Sequence, residues 1–326
     1  MKAIVNSESL FLLKKLVKNG VVKLLAESKD HKCQVEIIEP NNIDKEEGVL
    51  SIPEQVFSLL PRKTSLIVRD KVIKSDKQEL NFENKDNQIQ EIEMSEGRCF
   101  DITNFSELIE VVYARTKEEI RPVLRCILID KCNFVALDGY RMSVRSSIED
   151  MTDKQIIIPG SIVEMLNNFK KSDIATVYEN DNYIKICFGW ISITASKEKD
   201  LQFISYDSLI PKEHKTKVIV NSSELVSLCK QIGRLDQGYS NLLRIKFNTD
   251  SSYATAKNQE LKIKRYFSAE VEGEELEIGI NSRYLLEALK NYTGNATLYI
   301  NNPINPILVT DEKNKKDLVL PIRLIR

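Results

Sequence analysis

The stretch IVNSSELVSLCKQIGRL, Ile219–Leu235, carries a pattern that the chain repeats. It recurs as IVNSESLFLLKKLVKN from Ile4 and as ITNFSELIEVVYART from Ile102. Each copy has an Asn after a β-like residue pair: Asn6, Asn104 and Asn221. Four residues on stand Leu10, Leu108 and Leu225; seven on stand Leu13, Val111 and Leu228. An Asn in this position starts a helix well, because its side-chain oxygen accepts from the free backbone N–H groups of the first turn. Glu107 and Glu224 lie three residues after their Asn, the spacing of a capping box. The apolar spacing then predicts an amphipathic helix in each copy.

A second helix is predicted in each unit. It falls within SIPEQVFSLLP (Ser51–Pro61), IIPGSIVEMLNNF (Ile157–Phe169) and GINSRYLLEALKNY (Gly279–Tyr292). Pro53 and Pro159 suit a first helical turn, where a missing N–H goes unnoticed. Around the helices lie short runs that read as antiparallel strands: CILID, NFVAL, YIKICFGWISITA, LLRIKFN, ATLYINN, ILVTD and DLVLPIRLI. Chance similarity among amphipathic helices would explain one match. Three helix pairs in the same order argue for a threefold internal repeat. The expected class is α+β, with two helices on antiparallel sheet in each unit. The expected units are 1–97, 98–212 and 213–326, the first with abbreviated strand material.

Composition narrows the function. The 326 residues are 42% apolar and 29% charged, and 47 Lys+Arg against 48 Asp+Glu leave a net charge of −1. That is an ordinary globular chain with no overall bias toward polyanions. The N-terminal MKAIVNSESLFLLKKLVKNG lacks the uninterrupted apolar core of a signal peptide. No run is long enough to span a membrane. Six scattered cysteines without a C-x-x-C pair read as reduced, mostly buried residues of a cytoplasmic protein. His31 and His214 sit in charged, turn-like contexts, so no zinc site is expected. There is no phosphate-cradling glycine loop and no nucleophile elbow. Clusters such as Glu274-Glu275 read as solvated turns. The expectation is a protein without catalytic residues, metal or cofactor.

The stretch RPVLRCILIDKCNFVALDGYRMSVR (Arg121–Arg145) resembles the second domain of the bacterial sliding clamp, the beta subunit of DNA polymerase III. IIPGSIVEML, FISYDSLIP, EGEELEIGINSRYLLEALK and LVLPIRL resemble further clamp segments, in the family's order. The resemblance covers about Arg98 to Arg326, and the first 97 residues only through MKAIVNSESL and the helix pattern.

The resemblance implies a DNA clamp fold: three similar domains per chain, closed head to tail by a homodimer into a ring with helices lining the hole. It implies a cytoplasmic processivity factor that encircles duplex DNA without reading its sequence. The implied partners are the replicative DNA polymerase and the clamp loader. Basic residues placed on or just after the helices are the DNA-facing candidates: Lys14, Lys15, Lys18, Arg115, Lys117, Lys170, Lys171, Lys230, Arg234 and Lys290. Lys and Arg also simply fill the solvent face of amphipathic helices. A hydrophobic pocket for short partner peptides maps onto Leu124, Leu137, Gly139, Tyr140, Arg141, Met142, Ser208, Leu209, Asn281, Tyr284, Pro306, Leu320, Pro321, Ile322 and Arg323.

Leu137 and Tyr140 stand where the family motif has Thr and His, Ile204 where a Pro is usual, and Leu324-Ile325-Arg326 extend the usual tail. These departures mark a divergent clamp with its own peptide preference. Two other readings compete. One is a clamp-derived peptide-binding module that does not encircle DNA, which would be monomeric. The other is an unrelated carboxylate enzyme, which would show a deep site of convergent acids with shifted pKa values.

Overall fold

The computed structural model describes residues 71–82, 97–118, 121–166, 174–189, 191–233 and 241–324, the strand segments 2–6, 15–17, 22–28, 33–39, 50–51 and 65–69, and Leu59, Ile92 and Met94. The strands are, in order, β1 (Lys2–Asn6), β2 (Lys15–Val17), β3 (Val22–Ser28), β4 (Cys33–Glu39), β5 (Leu50–Ser51), β6 (Ser65–Arg69), β7 (Val72–Ser75), β8 (Gln78–Asn81), β9 (Arg98–Ile102), β10 (Cys126–Asp130), β11 (Asn133–Leu137), β12 (Arg141–Ser146), β13 (Ile156–Pro159), β14 (Ala175–Glu179), β15 (Tyr183–Phe188), β16 (Ile191–Ser196), β17 (Thr216–Asn221), β18 (Leu242–Phe247), β19 (Ser252–Lys257), β20 (Lys262–Phe267), β21 (Ala269–Gly273), β22 (Leu276–Asn281), β23 (Asn295–Ile300), β24 (Ile307–Thr310) and β25 (Lys315–Val319). The helices are α1 (Phe105–Val111), α2 (Gly160–Leu166), α3 (Ser222–Gly233) and α4 (Ser282–Leu289).

The chain folds as two compact units. Residues 1–105 and 165–200 form one. It holds an eight-stranded sheet, β5-β2-β3-β4-β16-β15-β14-β9, and a four-stranded sheet, β1-β6-β7-β8. Residues 106–164 and 201–326 form the other. It holds a nine-stranded sheet, β13-β10-β11-β12-β25-β24-β23-β17-β21, and a four-stranded sheet, β20-β19-β18-β22. Every pairing is antiparallel, as the short alternating runs predict. CILID is β10 and NFVAL is β11, buried along nearly their whole length. LLRIKF is β18, with Leu243, Ile245 and Phe247 turned to the core.

The strand–Asn–helix pattern is real where it is described. β17 runs into α3 through Asn221, whose Oδ1 accepts from the backbone N–H of Ser223 at 3.1 Å and of Glu224 at 3.2 Å. β22 runs into α4 through Asn281, whose Oδ1 accepts from the N–H of Arg283 at 2.9 Å and of Tyr284 at 3.3 Å. β9 likewise leads to α1. Leu108, Val111, Leu225 and Leu228 are all fully buried, the stripe the spacing predicts. Burying each such side chain contributes about 1.5–3 kcal/mol. Within the two helices predicted in the opening repeat, Leu59 is helical and Lys15–Val17 and Ser51 are strand, while the remaining positions, apart from 4–6 of β1, lie outside the described residues.

Some expectations need correction. Pro159 is not in a helix; it ends β13, and α2 begins at Gly160. β13 is an edge strand, where a missing N–H breaks no ladder. Lys15 stands on a strand, β2, rather than on the helix read through it. Glu107 accepts from Asn314 Nδ2 at 2.5 Å, and Glu224 from the N–H of Ser268 at 3.4 Å. Both carboxylates therefore reach neighbouring segments. DLVLPIRLI is strand only to Val319. Of the described cysteines, Cys126 and Cys229 are buried, Cys132 and Cys187 half-buried and Cys99 exposed, so they are less buried than composition implied.

The nine-stranded sheet joins distant sequence. β12 pairs with β25 in the register Arg141↔Val319 to Arg145↔Lys315. A fully buried ion pair, flanked by two partly exposed charges, spans this seam. Arg145 pairs with Asp317 at 3.0 Å, neither exposed at all, and with Glu110 at 3.0 Å. Asp317 also accepts from the Tyr113 hydroxyl at 2.5 Å and the Tyr292 hydroxyl at 2.8 Å. Glu110 takes Lys315 as a second cation at 3.1 Å. Buried charges are tolerated only when paired and hydrogen-bonded in this way.

Candidate peptide-binding site

The site is built where β11, β12 and the chain after β25 meet. Asp138-Gly139 turns β11 into β12. Asp138 Oδ1 accepts from the N–H groups of Tyr140 at 2.9 Å and Arg141 at 3.0 Å, an Asx turn. Gly139 has a φ of +92°, a conformation that side-chain-bearing residues rarely adopt. The turn lifts Tyr140 into solvent, 62% exposed.

Arg141 is held on every side. Its Nε donates to Asp138 Oδ2 at 2.9 Å, and its Nη1 pairs with Glu287 of α4. Its guanidinium lies 4.4 Å from the centre of the Tyr284 ring and 5.4 Å from that of Tyr113. Burial works against its charge, but Asp138 and Glu287 outweigh burial and raise its pKa. Arg141 is thus a fixed strut that presents the Tyr284 ring. The rings of Tyr140 and Tyr284 stand 6.3 Å apart at 32°. Burial, then the nearby Asp138, pushes the Tyr284 hydroxyl above its ordinary value, so it stays a neutral phenol.

The tail completes the wall. Leu320 N–H donates to Tyr140 O at 2.8 Å, and Ile322 N–H to Gly279 O at 2.7 Å. Leu320–Ile322 thereby bridges the β11–β12 turn and β22. Ile307 faces Val319 in the ladder, so one step on places Pro306 opposite Leu320. A Cβ on Gly279 would stand 2.6 Å from Ile322 O, so the tail's approach needs glycine there. Leu320 and Leu209 remain 38% and 43% exposed, an apolar rim. Beneath lies a cluster of Leu124, Leu137 and Met142 with Phe203, Tyr206 and Leu318.

The sequence-predicted residues therefore divide by role. Tyr140, Tyr284, Leu209, Leu320, Pro321 and Ile322 are at least partly accessible, as are Pro306 and Arg323. Leu124, Leu137 and Met142 are a buried floor, 2–3% exposed. Asn281 is committed to capping α4, and Ser208 donates to Ser205 O at 2.7 Å within its own turn. Sequence reasoning missed Phe203 and Tyr206. The Tyr206 hydroxyl donates to Asp130 Oδ2 at 3.1 Å and accepts from Asn133 Nδ2 at 3.2 Å, anchoring the turn that carries Leu209. Its signal was an aromatic residue between exposed neighbours in FISYDSLIP.

The basic candidates fare unevenly. Arg115 is a correction: its side chain is 8% exposed and its guanidinium pairs with Glu164 of α2, so it offers no charge to a ligand. Burial would raise the Glu164 pKa, yet Arg115 and Lys117 lower it. Lys117, Lys230 and Lys290 are exposed. Lys14, Lys18, Lys170, Lys171 and Arg234 lie outside the described residues, as does the side chain of Lys15.

Residues 207–323 match the family model described as DNA polymerase III beta subunit, C-terminal domain. The chain is 25% identical over 247 residues to the beta sliding clamp of Synechococcus elongatus, covering 67% of this chain and 64% of that protein. It is 23% identical over 229 residues to the beta sliding clamp of Bacillus subtilis, covering 66% and 61%. The sequence match thus spans less than two thirds of either relative's length. The fold extends further. The DNA polymerase III beta subunit of Thermotoga maritima superposes with a TM-score of 0.82 at 19% identity, over 99% of this chain and 100% of that one. A sliding clamp from Bartonella birtlesii bound to griselimycin gives 0.83 at 20% identity, over 99% and 100%. The chain is thus similar in sequence to beta sliding clamps over about two thirds of its length, matches the C-terminal domain of the DNA polymerase III beta subunit over 207–323, and shares the fold of those subunits over nearly its full length.

Proposed function

We propose that the chain is a DNA sliding clamp: a non-catalytic cytoplasmic processivity factor that encircles duplex DNA as a head-to-tail homodimer. The observation that carries this is the sheet architecture. Each unit has one long sheet and one four-stranded sheet, the latter ending in β8 in one unit and β20 in the other. Two such edges, unpaired among the described residues, are what a second copy can complete, and closure removes an aggregation hazard. The division into repeats 1–97, 98–212 and 213–326 then gives six repeats per ring. Duplex contacts are phosphate contacts, loose and indifferent to sequence, from residues such as Lys117, Lys230 and Lys290.

The peptide site tethers the replicative polymerase, the clamp loader and other partners. An apolar floor, two tyrosine rings and a leucine rim suit a short segment with a Gln followed by two apolar or aromatic anchors. Loading onto a nicked circular duplex followed by gel filtration tests the function. The protein should co-elute with circles and be lost after linearisation, by running off the ends. Equal retention on both forms overturns the ring and leaves a peptide-binding module.

A further inference from the structure

The outer face of the sheet β20-β19-β18-β22 adjoins the site above at Gly279 of β22, where the tail approaches it. Alternation puts Leu243, Ile245 and Phe247 inward, and turns Arg244 and Lys246 of β18 outward. The same parity turns out Tyr253, Thr255 and Lys257 of β19, and Lys262, Lys264 and Tyr266 of β20. Five cations thus share one face with a single strand carboxylate, Glu277, which stands 3.9 Å from Arg244. Two aromatic rings lie among them. Tyr253 and Tyr266 are directly paired across the ladder, their rings 5.8 Å apart and edge to face. Lys264 Nζ lies 3.8 Å from the centre of one ring and 4.8 Å from the other. Tyr266 is 58% exposed, so its ring is open to a ligand. Arg244, Tyr253, Lys262 and Lys264 line a depression of about 580 Å³, which Glu277 and, from α3, Ile232 also border.

We propose that this face binds single-stranded nucleic acid. An antiparallel sheet that offers aromatic rings to stack bases and flanking Lys and Arg to hold phosphates is complementary to an unpaired strand in both charge and shape. An acidic polypeptide would satisfy the lysines but leave the paired tyrosines without a stacking partner. A duplex keeps its bases stacked inside and presents no faces to Tyr266. The paired tyrosines and lysines of β19 and β20 are not residues of the tyrosine–leucine site, which meets this face at Gly279 of β22, and the inference does not rest on ring closure.

The test is fluorescence anisotropy of the full chain with a labelled linear oligo(dT) of about 15 nucleotides, too short and open to be held topologically. A matching duplex and an oligo-glutamate peptide serve as competitors. Binding should weaken with salt, and K262E/K264E should lower affinity at least tenfold with a shallower salt dependence. Y266A should cost about tenfold, while Y266F, which keeps the ring, should bind as the parent does. Y140A, in the other site, should leave oligo(dT) binding unchanged. Absence of binding, equal binding by K262E/K264E, or displacement as effective by duplex or oligo-glutamate as by unlabelled oligo(dT) overturns the proposal.

Discussion

Tyr284 and Ile322 reach the same site from opposite sides, one from a helix and one from the tail. Truncating either to Ala should weaken a polymerase-derived peptide by about 1–3 kcal/mol, as for anchors in a buried cluster. Anisotropy with a labelled peptide measures it, and binding unaffected by both changes refutes the site. A second residue-scale expectation concerns pH. Burial first, and then the Asp317 carboxylate, raises the pKa values of Tyr113 and Tyr292 above the ordinary phenol value of about 10. Above that value the unfolded chain loses phenol protons that the folded chain keeps. The native state then binds more protons, so stability falls as pH rises. Urea midpoints should hold between pH 7 and 9 and drop above about pH 10, with less drop in Y292F. Midpoints level from pH 9 to 11 would refute it. Sequence made Tyr140 and Arg141 visible through their motif, but not the strut role of Arg141. That role depends on Glu287, which stands far along the chain and reads as one more solvated acid of a helix.

At the scale of elements, strand–Asn–helix was legible because capping is local chemistry. Replacing Asn221 or Asn281 by Ala should each lower stability by about 1 kcal/mol, read from thermal or urea unfolding. N281A should also weaken peptide binding, because the cap sets the first turn of α4 that holds Tyr284; N221A should not. A silent N281A on both counts would detach the cap from the site. What stayed illegible was non-local. Lys15 looked helical because Leu10 and Leu13 set a helical period just before it. The pairing of β2 with β3, Leu16↔Leu24 and Val17↔Lys23, decided otherwise. Pro159 fitted a helix start by rule and a strand edge in fact, since only sheet order tells where an edge lies.

The whole molecule is a question of which edges close. If β8 and β20 pair between copies, sedimentation across a dilution series should give a species near twice the 37.4 kDa chain mass at micromolar concentration. A monomer throughout would refute the homodimer. Three Asn-led segments predict a threefold repeat, and the described strand–Asn–helix junctions at Asn221 and Asn281 follow that pattern. That the chain would fold as two units cutting across the second repeat was not legible, because β9 and β14–β16 join one sheet while β10–β13 join another.

The β12–β25 seam has a consequence for biosynthesis. Arg141 leaves the ribosome long before Val319, its partner in the ladder. At about 5–20 residues per second, β12 waits on the order of 10–35 s with one side unpaired. During that interval Arg145 has no Asp317 beside it, and the nascent chain shows a bare strand edge to its neighbours on the polysome. Lys315–Val319 is therefore the keystone of the larger unit. Truncated products ending before Lys315 should be the aggregating and proteolysed species in any cell that makes this chain.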